Sequence, residues 1–374
     1  MRTTVLLLSL GLPAMFLLWI LGKNYEYRLP PQSLTSSYLS NTNLVMPATR
    51  SYIADDLPNG YDRSGKTDYT ALIQRAVNEN KVTVFPSFPL LINMNGLTVP
   101  SDRILIFQKN SILLFSGPAT AKYSDIIKVY NAENVRIVNA KIRGSRNEKA
   151  EQRGEWSAGI SILNSRNIVI ENPRIYDTFG DGIFIGSEDN GYSENIYISN
   201  GWIDNVRRNG ISITSAKNVF VNHILISNTH GTLPECGVDI EPSVEDHIMQ
   251  NVNLNDVYTF NNSSGGISVN MNALGVKERS RIKTVNINIT RHTDDGSAYA
   301  FTTSLNDIKG LYDAQGYINI TGSHWQNNRS GLYWKSDNEQ RIKLNFKKLK
   351  TDSNGKTQEL VNFLKKQKNI AVSN

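Results

Sequence analysis

The segments AGISIL, DGIFIG, NGISIT, CGVDIE and GGISVN recur through the middle of this chain and set glycines at 159, 182, 210, 237 and 266, a period of 23 to 29 residues. A unit of that length, repeated several times, is one turn of a solenoid and not of a helical bundle. Behind each glycine the apolar positions alternate: Ile160 and Ile162, Ile183 and Ile185, Ile211 and Ile213, Val238 and Ile240, Ile267 and Val269. Period two with β-branched residues means short strands. A second column follows the first, in which Asn134, Asn167, Asn195, Asn218 and Asn251 each precede another short apolar alternation. An asparagine at a corner tolerates a left-handed bend, and its amide can stack on the next. A weaker third column runs through Ile142, Ile175, Ile203, Leu225 and Val257. Three short strands per turn with no helix between them define an all-β, single-stranded parallel β-helix, whose units bury their apolar faces only by stacking.

A solenoid needs closed ends. GKTDYTALIQRAVNEN predicts a capping helix, with Thr67 or Asp68 as N-cap and Leu72, Ile73, Ala76 and Val77 on its apolar face. QELVNFLKKQKN predicts a short basic amphipathic helix near the other end. The organisation read from the sequence is therefore an apolar N-terminal segment (1–22), a linker (23–50), the β-helix (51–345) and a basic tail with a short helix (346–374). The apolar run from Val5 to Leu21, between Arg2 and Lys23, reads as an uncleaved signal anchor, with no small-residue cleavage site close behind it. The β-helix would then face the periplasm or the cell exterior, and a cleaved segment would leave it secreted.

Length and composition agree with one extended globular unit: 374 residues, 39% hydrophobic and 20% charged. Cys236 is the only cysteine, which excludes an intrachain disulfide and a cysteine-based metal or redox site. The net charge of +6 suits an anionic partner. Because the basic residues are dispersed apart from Lys347, Lys348, Lys350, Lys365, Lys366 and Lys368, with no aromatic-basic motif, nucleic acid is not the expected partner. An acidic polysaccharide is.

The opening of the β-helix, GYDRSGKTDYTALIQRAVNENKVTVFPS, together with the ladder behind it, resembles pectin lyase-like proteins over residues 51 to 345. The resemblance implies a right-handed coil and, most often, an enzyme acting on polysaccharide, as in polygalacturonases, pectate lyases and uronan epimerases. The polygalacturonase pattern is met in part. FGDGIFI supplies Gly180 and Asp181 where that family has an acidic pair, while Ala158 and Asn209 stand where it would carry an aspartate and a histidine. An RIK string, Arg281 to Lys283, is also present.

If the isoleucines and valines point inward, their neighbours point out. One outer column holds Ser161, Phe184, Ser212, Asp239 and Ser268, and the next holds Leu163, Gly186, Thr214, Glu241 and Asn270. Asp181, just before its glycine, faces the same side. Alternate residues on a strand are about 7 Å apart and stacked turns about 4.8 Å. Carboxyl pairs on such a face can reach the separation of about 6.5–9.5 Å that suits inverting glycoside hydrolysis. Crowded carboxylates also raise one another's pKa, which keeps one protonated as an acid. Asp181, Asp239 and Glu241 are accordingly the expected catalytic acids and bases.

Elimination or epimerisation of a uronate would instead need a base and a cation, which Arg207, Arg208 and His230 could supply. In the related lyases calcium often assists. No strict calcium motif is visible here, and hydrolysis requires no cofactor. The charged insertion RNEKAEQRGEWSAG brings Arg153, Glu155 and Trp156 toward the same face, Trp156 and Phe184 as sugar platforms and Arg153 as a partner for an anionic sugar. Asn209 and Asn270 complete the expected substrate contacts. The functional expectation is a membrane-tethered glycoside hydrolase of acidic polysaccharide, with a lyase or epimerase, or a glycan-binding module without catalysis, as alternatives.

Overall fold

The computed structural model describes residues 25–39, 46–117, 124–146, 155–274, 283–305, 314–336 and 341–373, and each repeat in it makes one coil of parallel strands. The first strands of successive coils pair in the aligned register: Ile160 with Ile183, Ile183 with Ile211, Ile211 with Val238, and Val238 with Ile267. They build a nine-stranded parallel sheet from Leu97–Thr98 to Ser330–Ser336, and the other strands build a second, nineteen-stranded sheet. The chain is a right-handed parallel β-helix. The inward isoleucines and valines of the aligned segments are fully buried. Each contributes about 1.5–3 kcal/mol relative to exposure, and only because a neighbour covers it above and below.

The second sheet bends at two columns of left-handed residues. Asn134, Asn167, Asn195, Asn218 and Asn251 have φ between 53° and 58°. Their amides form a continuous ladder, each Nδ2 donating to the Oδ1 of the previous coil at 2.8 to 3.0 Å. Five residues on, Asn139, Asn172, Asn200, His223 and Asp256 make the second bend, again at positive φ. Strands such as Ser193–Asp204, Ala216–Ser227 and Met249–Phe260 therefore run through both corners without interruption.

The repeat glycines are required by close approach. A Cβ at Gly182 would lie 2.5 Å from Ile203 and 2.6 Å from the Gly210 carbonyl, and one at Gly210 would lie 2.2 Å from Ile226. The inward column opposite the glycines is thus Ile142, Ile175, Ile203, Ile226 and Thr259. This corrects the expected third column at two positions. Val257 is inward but pairs with Ile224, and Leu225 faces outward, buried under an added segment rather than in the core.

That added segment is part of the expected linker. Tyr25 to Leu39 lies against the flank of the coil. The Tyr25 ring stacks on His230 at 3.9 Å, Tyr27 Oη donates to Asp204 at 3.0 Å, and Arg28 Nε donates to Asn261 at 2.7 Å. Helix α1 (Gln32–Tyr38) buries Tyr38 against Leu225 and Phe260. Its aromatic residues carry apolar area that a free linker would leave in water, and this area drives the docking.

Helix α2 (Ile53–Asp56) and helix α3 (Thr70–Glu79) close the N-terminal end, with Ile73, Ala76 and Val77 buried and Leu72 packed beside them. The N-cap position falls on Tyr69, one residue later than expected, while Asp68 accepts the Thr70 N–H at 2.8 Å. At the far end helix α4 (Asn354–Lys365) buries Leu364, and Ile370–Ser373 pairs with Leu344–Lys347. The basic tail consequently completes the coil rather than trailing from it. Residues 1–22, Arg153, Arg281 and Ile282 lie outside the described residues.

Candidate active site

The outer face of the nine-stranded sheet carries a cleft of about 710 Å³. The polar columns converge there because the register holds: Ser161, Phe184, Ser212, Asp239 and Ser268 are consecutive pairing partners. Asp181, Asp239, Glu241, Arg208, Glu155, Trp156 and Phe184 all line the cleft. Arg153 is not among the described residues.

An ion pair fixes the floor. Arg208 Nη1 donates to Asp181 Oδ2 at 3.0 Å and Oδ1 at 3.2 Å, and to Ser212 Oγ at 3.2 Å, while Nη2 faces Glu155 at 3.4 Å. Burial alone would lower the guanidinium, yet Asp181, Asp239 and Glu155 together raise it, so it stays charged. Asn209, wholly buried, sits behind this pair. Its backbone N–H donates to Asp181 Oδ1 at 3.0 Å, its Nδ2 donates to Ser212 Oγ at 3.0 Å and Asp239 Oδ2 at 3.3 Å, and its Oδ1 accepts the Cys236 N–H at 2.9 Å. It therefore positions the acids and has no surface to offer a substrate.

Asp239 and Glu241 form a close pair. Burial, then the Glu241 charge, pushes Asp239 well above the ordinary carboxylate range, with Arg208 acting the other way. Burial also raises Glu241, whose Oε1 accepts from Asn270 Nδ2 at 2.6 Å. Asp239 Oδ1 is buried and receives no hydrogen bond, although Ser268 and the Glu241 carboxyl stand within interaction range. An ionised Asp239 would leave that oxygen without a donor. A protonated one can donate across to Glu241, so the pair is best described as two carboxyls sharing a proton. They are in contact, not separated by a water-sized gap, because the longer glutamate reaches back along the strand face.

Three expected residues stand elsewhere. His230 stacks on Tyr25, and its Nδ1–H donates to the Asn228 carbonyl at 3.0 Å; burial, then Arg146, lowers it to about 4. Arg207 packs its guanidinium 4.3 Å over the Phe179 ring. Asn270 acts through Glu241. Cys236 is buried, and burial pushes its thiol up.

Sequence reasoning missed Asp125, which lines the cleft one coil before Trp156. It accepts the Ala158 N–H at 2.6 Å and the Tyr130 hydroxyl, and burial raises its carboxyl. The signal was present in DIIKVY, whose Ile127 pairs with Ile160, but Ile126 occupies the glycine position that defined the repeat. Glu188, Asp189 and His247 were missed for another reason: they stand on turns between strands, where no periodicity marks them. Gly180 lets the Trp156 backbone close in, since a Cβ there would lie 2.4 Å from the Trp156 carbonyl. Among the described residues no three His, Cys, Asp or Glu side chains are grouped to hold a metal ion, and no helix is long and apolar enough to cross a membrane.

Comparison with known proteins agrees with this architecture. The family described as right handed beta helix region matches residues 125–310. The uncharacterized protein YclG of Bacillus subtilis (strain 168) is 30% identical over 252 residues, which is 58% of this chain and 43% of that protein, so the chain spans less than half the length of this relative. Among solved structures, endo-xylogalacturonan hydrolase from Aspergillus tubingensis superposes with a TM-score of 0.53 at 14% identity, covering 82% of this chain and 86% of that one. The mannuronan C-5 epimerase AlgE6 A-module of Azotobacter vinelandii gives 0.50 at 11% identity, covering 86% and 97%. At these identities the likeness is one of fold: the chain has a right-handed parallel β-helix fold.

Proposed function

We propose that the protein is a polysaccharide-active enzyme that hydrolyses glycosidic bonds in this cleft. The observation that carries the reading is the buried Asp239–Glu241 pair, a proton-holding dyad at the base of an open groove. In this role Asp239 gives its proton to the departing glycosidic oxygen, Glu241 keeps that proton available, and Asp181, oriented by Arg208 and Asn209, activates water. Phe184 and Trp156 offer apolar area for sugar rings. Elimination has less support, because the cleft arginine is already engaged by Asp181 and Glu155.

The N-terminal apolar run, followed by the docked Tyr25 to Leu39, supports a tethered enzyme with its β-helix outside the cytoplasm. The test is incubation of the chain from Tyr25 onward with neutral, amine-bearing and acidic polysaccharides, following reducing ends and the ultraviolet absorbance of unsaturated products together. New reducing ends without absorbance support hydrolysis. Absorbance would replace it with elimination, and binding without either product would replace it with a non-catalytic glycan-binding role.

A further inference from the structure

The charge of the cleft is opposite to that of the chain. Net charge is +6, yet the only guanidinium or ammonium group lining the cleft among the described residues is Arg208, held between Asp181 and Glu155. Lys128 acts on Asp125 from beside it and offsets that carboxylate. His247 adds no charge: its Nδ1 accepts the Ser243 N–H at 3.1 Å, as a neutral imidazole does, and burial lowers it. This leaves Glu188 and Asp189, both exposed on the turn at the rim, with no basic side chain beside them in the cleft lining among the described residues, while the single cation Arg208 is shared by Asp181, Glu155 and the Asp239–Glu241 pair.

We infer that the cleft accepts a glycan bearing free amines, a polymer of unacetylated amino sugars, and disfavours uronate or sulfated chains. A carboxylate on each sugar would meet Glu188, Asp189 and the acid pair, with Arg208, already held by Asp181 and Glu155, as the one guanidinium or ammonium group lining the cleft among the described residues, and field lines focused in a groove act on the whole bound segment. A protonated amine meets the same groups as donors meet acceptors. On this inference net charge is a poor guide to the substrate, because basic residues such as Arg136 and Arg166 stand on the second sheet, paired with Glu171 and Glu133.

This inference rests on the cleft being a glycan site, and the experiment separates the two. Binding of oligoglucosamine, its fully N-acetylated form and oligogalacturonate to the chain from Tyr25 onward is measured by calorimetry at low and high salt, with and without added calcium. The expected result is oligoglucosamine bound at least about tenfold more tightly than oligogalacturonate, with the gap narrowing as salt screens it. Glu188→Gln combined with Asp189→Asn, at the cleft rim outside the acid pair, is expected to shrink the preference at least threefold through weaker binding of oligoglucosamine. Equal or tighter binding of oligogalacturonate, with or without calcium, overturns the inference and leaves the glycan site standing. So does an unchanged preference in the double variant. Absence of binding by all three ligands overturns the glycan site itself.

Discussion

The Nη1 atom of Arg208 lies 3.0 and 3.2 Å from the two carboxylate oxygens of Asp181, one coil below it. Both side chains are largely withdrawn from water, at 14% and 2% exposure. Arg208→Ala leaves Asp181 as an uncompensated buried charge, and chemical denaturation is expected to show a loss of about 3–5 kcal/mol. Arg208→Ala with Asp181→Ala should recover much of it. A double variant no more stable than Arg208→Ala would mean that the ion pair does not set the cost.

Asp239→Asn is expected to lower turnover by about 10²–10⁴-fold, the usual scale of lost proton transfer. The fold should persist. Because burial and Glu241 raise the folded-state pKa of Asp239, its contribution to stability is present below the ordinary carboxylate range and declines as pH rises through the raised value. The amide removes that decline, so the variant should melt no lower than the parent at alkaline pH. A variant that keeps full turnover would remove Asp239 from the mechanism.

The same pair fixes the direction of a pH shift. Glu241 is the second cause, after burial, that raises Asp239. Glu241→Gln removes that charge and lowers the Asp239 pKa, moving the alkaline limb of the kcat/KM profile to lower pH. A limb that stays in place or moves upward would mean another group supplies the proton.

A second buried network gives a stability prediction independent of function. In the core of the later coils Trp325 Nε1 donates to His292 Nδ1 at 3.2 Å, and Thr259 Oγ1 links His292 Nε2, at 2.8 Å, to Asp294. Burial lowers His292 to about 3 and raises Asp294 to about 7. As pH falls through the window from 6.5 to 3, the unfolded histidine takes up a proton that the folded one refuses, so stability is lost. As pH rises from 3.8 to 7, the unfolded aspartate releases a proton that the folded one keeps, so stability is lost in the opposite direction. Between about pH 4 and 6.5 the two slopes cancel. Asp294→Asn leaves only the histidine slope, and the variant should lose stability on acidification across that window relative to the parent. Parallel pH profiles of the two proteins would show that the groups do not titrate as described.

Deleting residues 25–39 should cost stability by about 2 kcal/mol or more, since Tyr38 and Leu225 lose their mutual cover. A true linker would be removed at no cost, and thermal melting distinguishes the two.

How far the fold could be read in the sequence follows from what each residue type answers to. The glycines at 159, 182, 210 and 237 and the corner asparagines were legible because one local requirement, close approach or a left-handed bend, recurs at every coil. Leu225 was not, because an apolar residue shows that it is covered without showing by what. Tyr25 and Tyr27 were hidden for the same reason: their partners lie some 200 residues away, and no local pattern encodes so distant a contact. In the site, Asp239 and Glu241 stood out as acids in columns of Ser, Thr and Asn. Asp125 escaped because its coil replaces the marker glycine with Ile126, and His230 misled because proximity along the chain is not proximity across a coil.

The acids and their partners come from separate coils: Asp125 from one, Trp156 from the next, then Asp181, Arg208 and Asp239 in turn. No single repeat contains the site. A fragment of two or three coils could stack and still be chemically silent, and the gain or loss of one whole coil would spare the scaffold while changing which side chains face each other by one step of about 4.8 Å. A chain built this way can exchange its chemistry by counting, without redesigning any part.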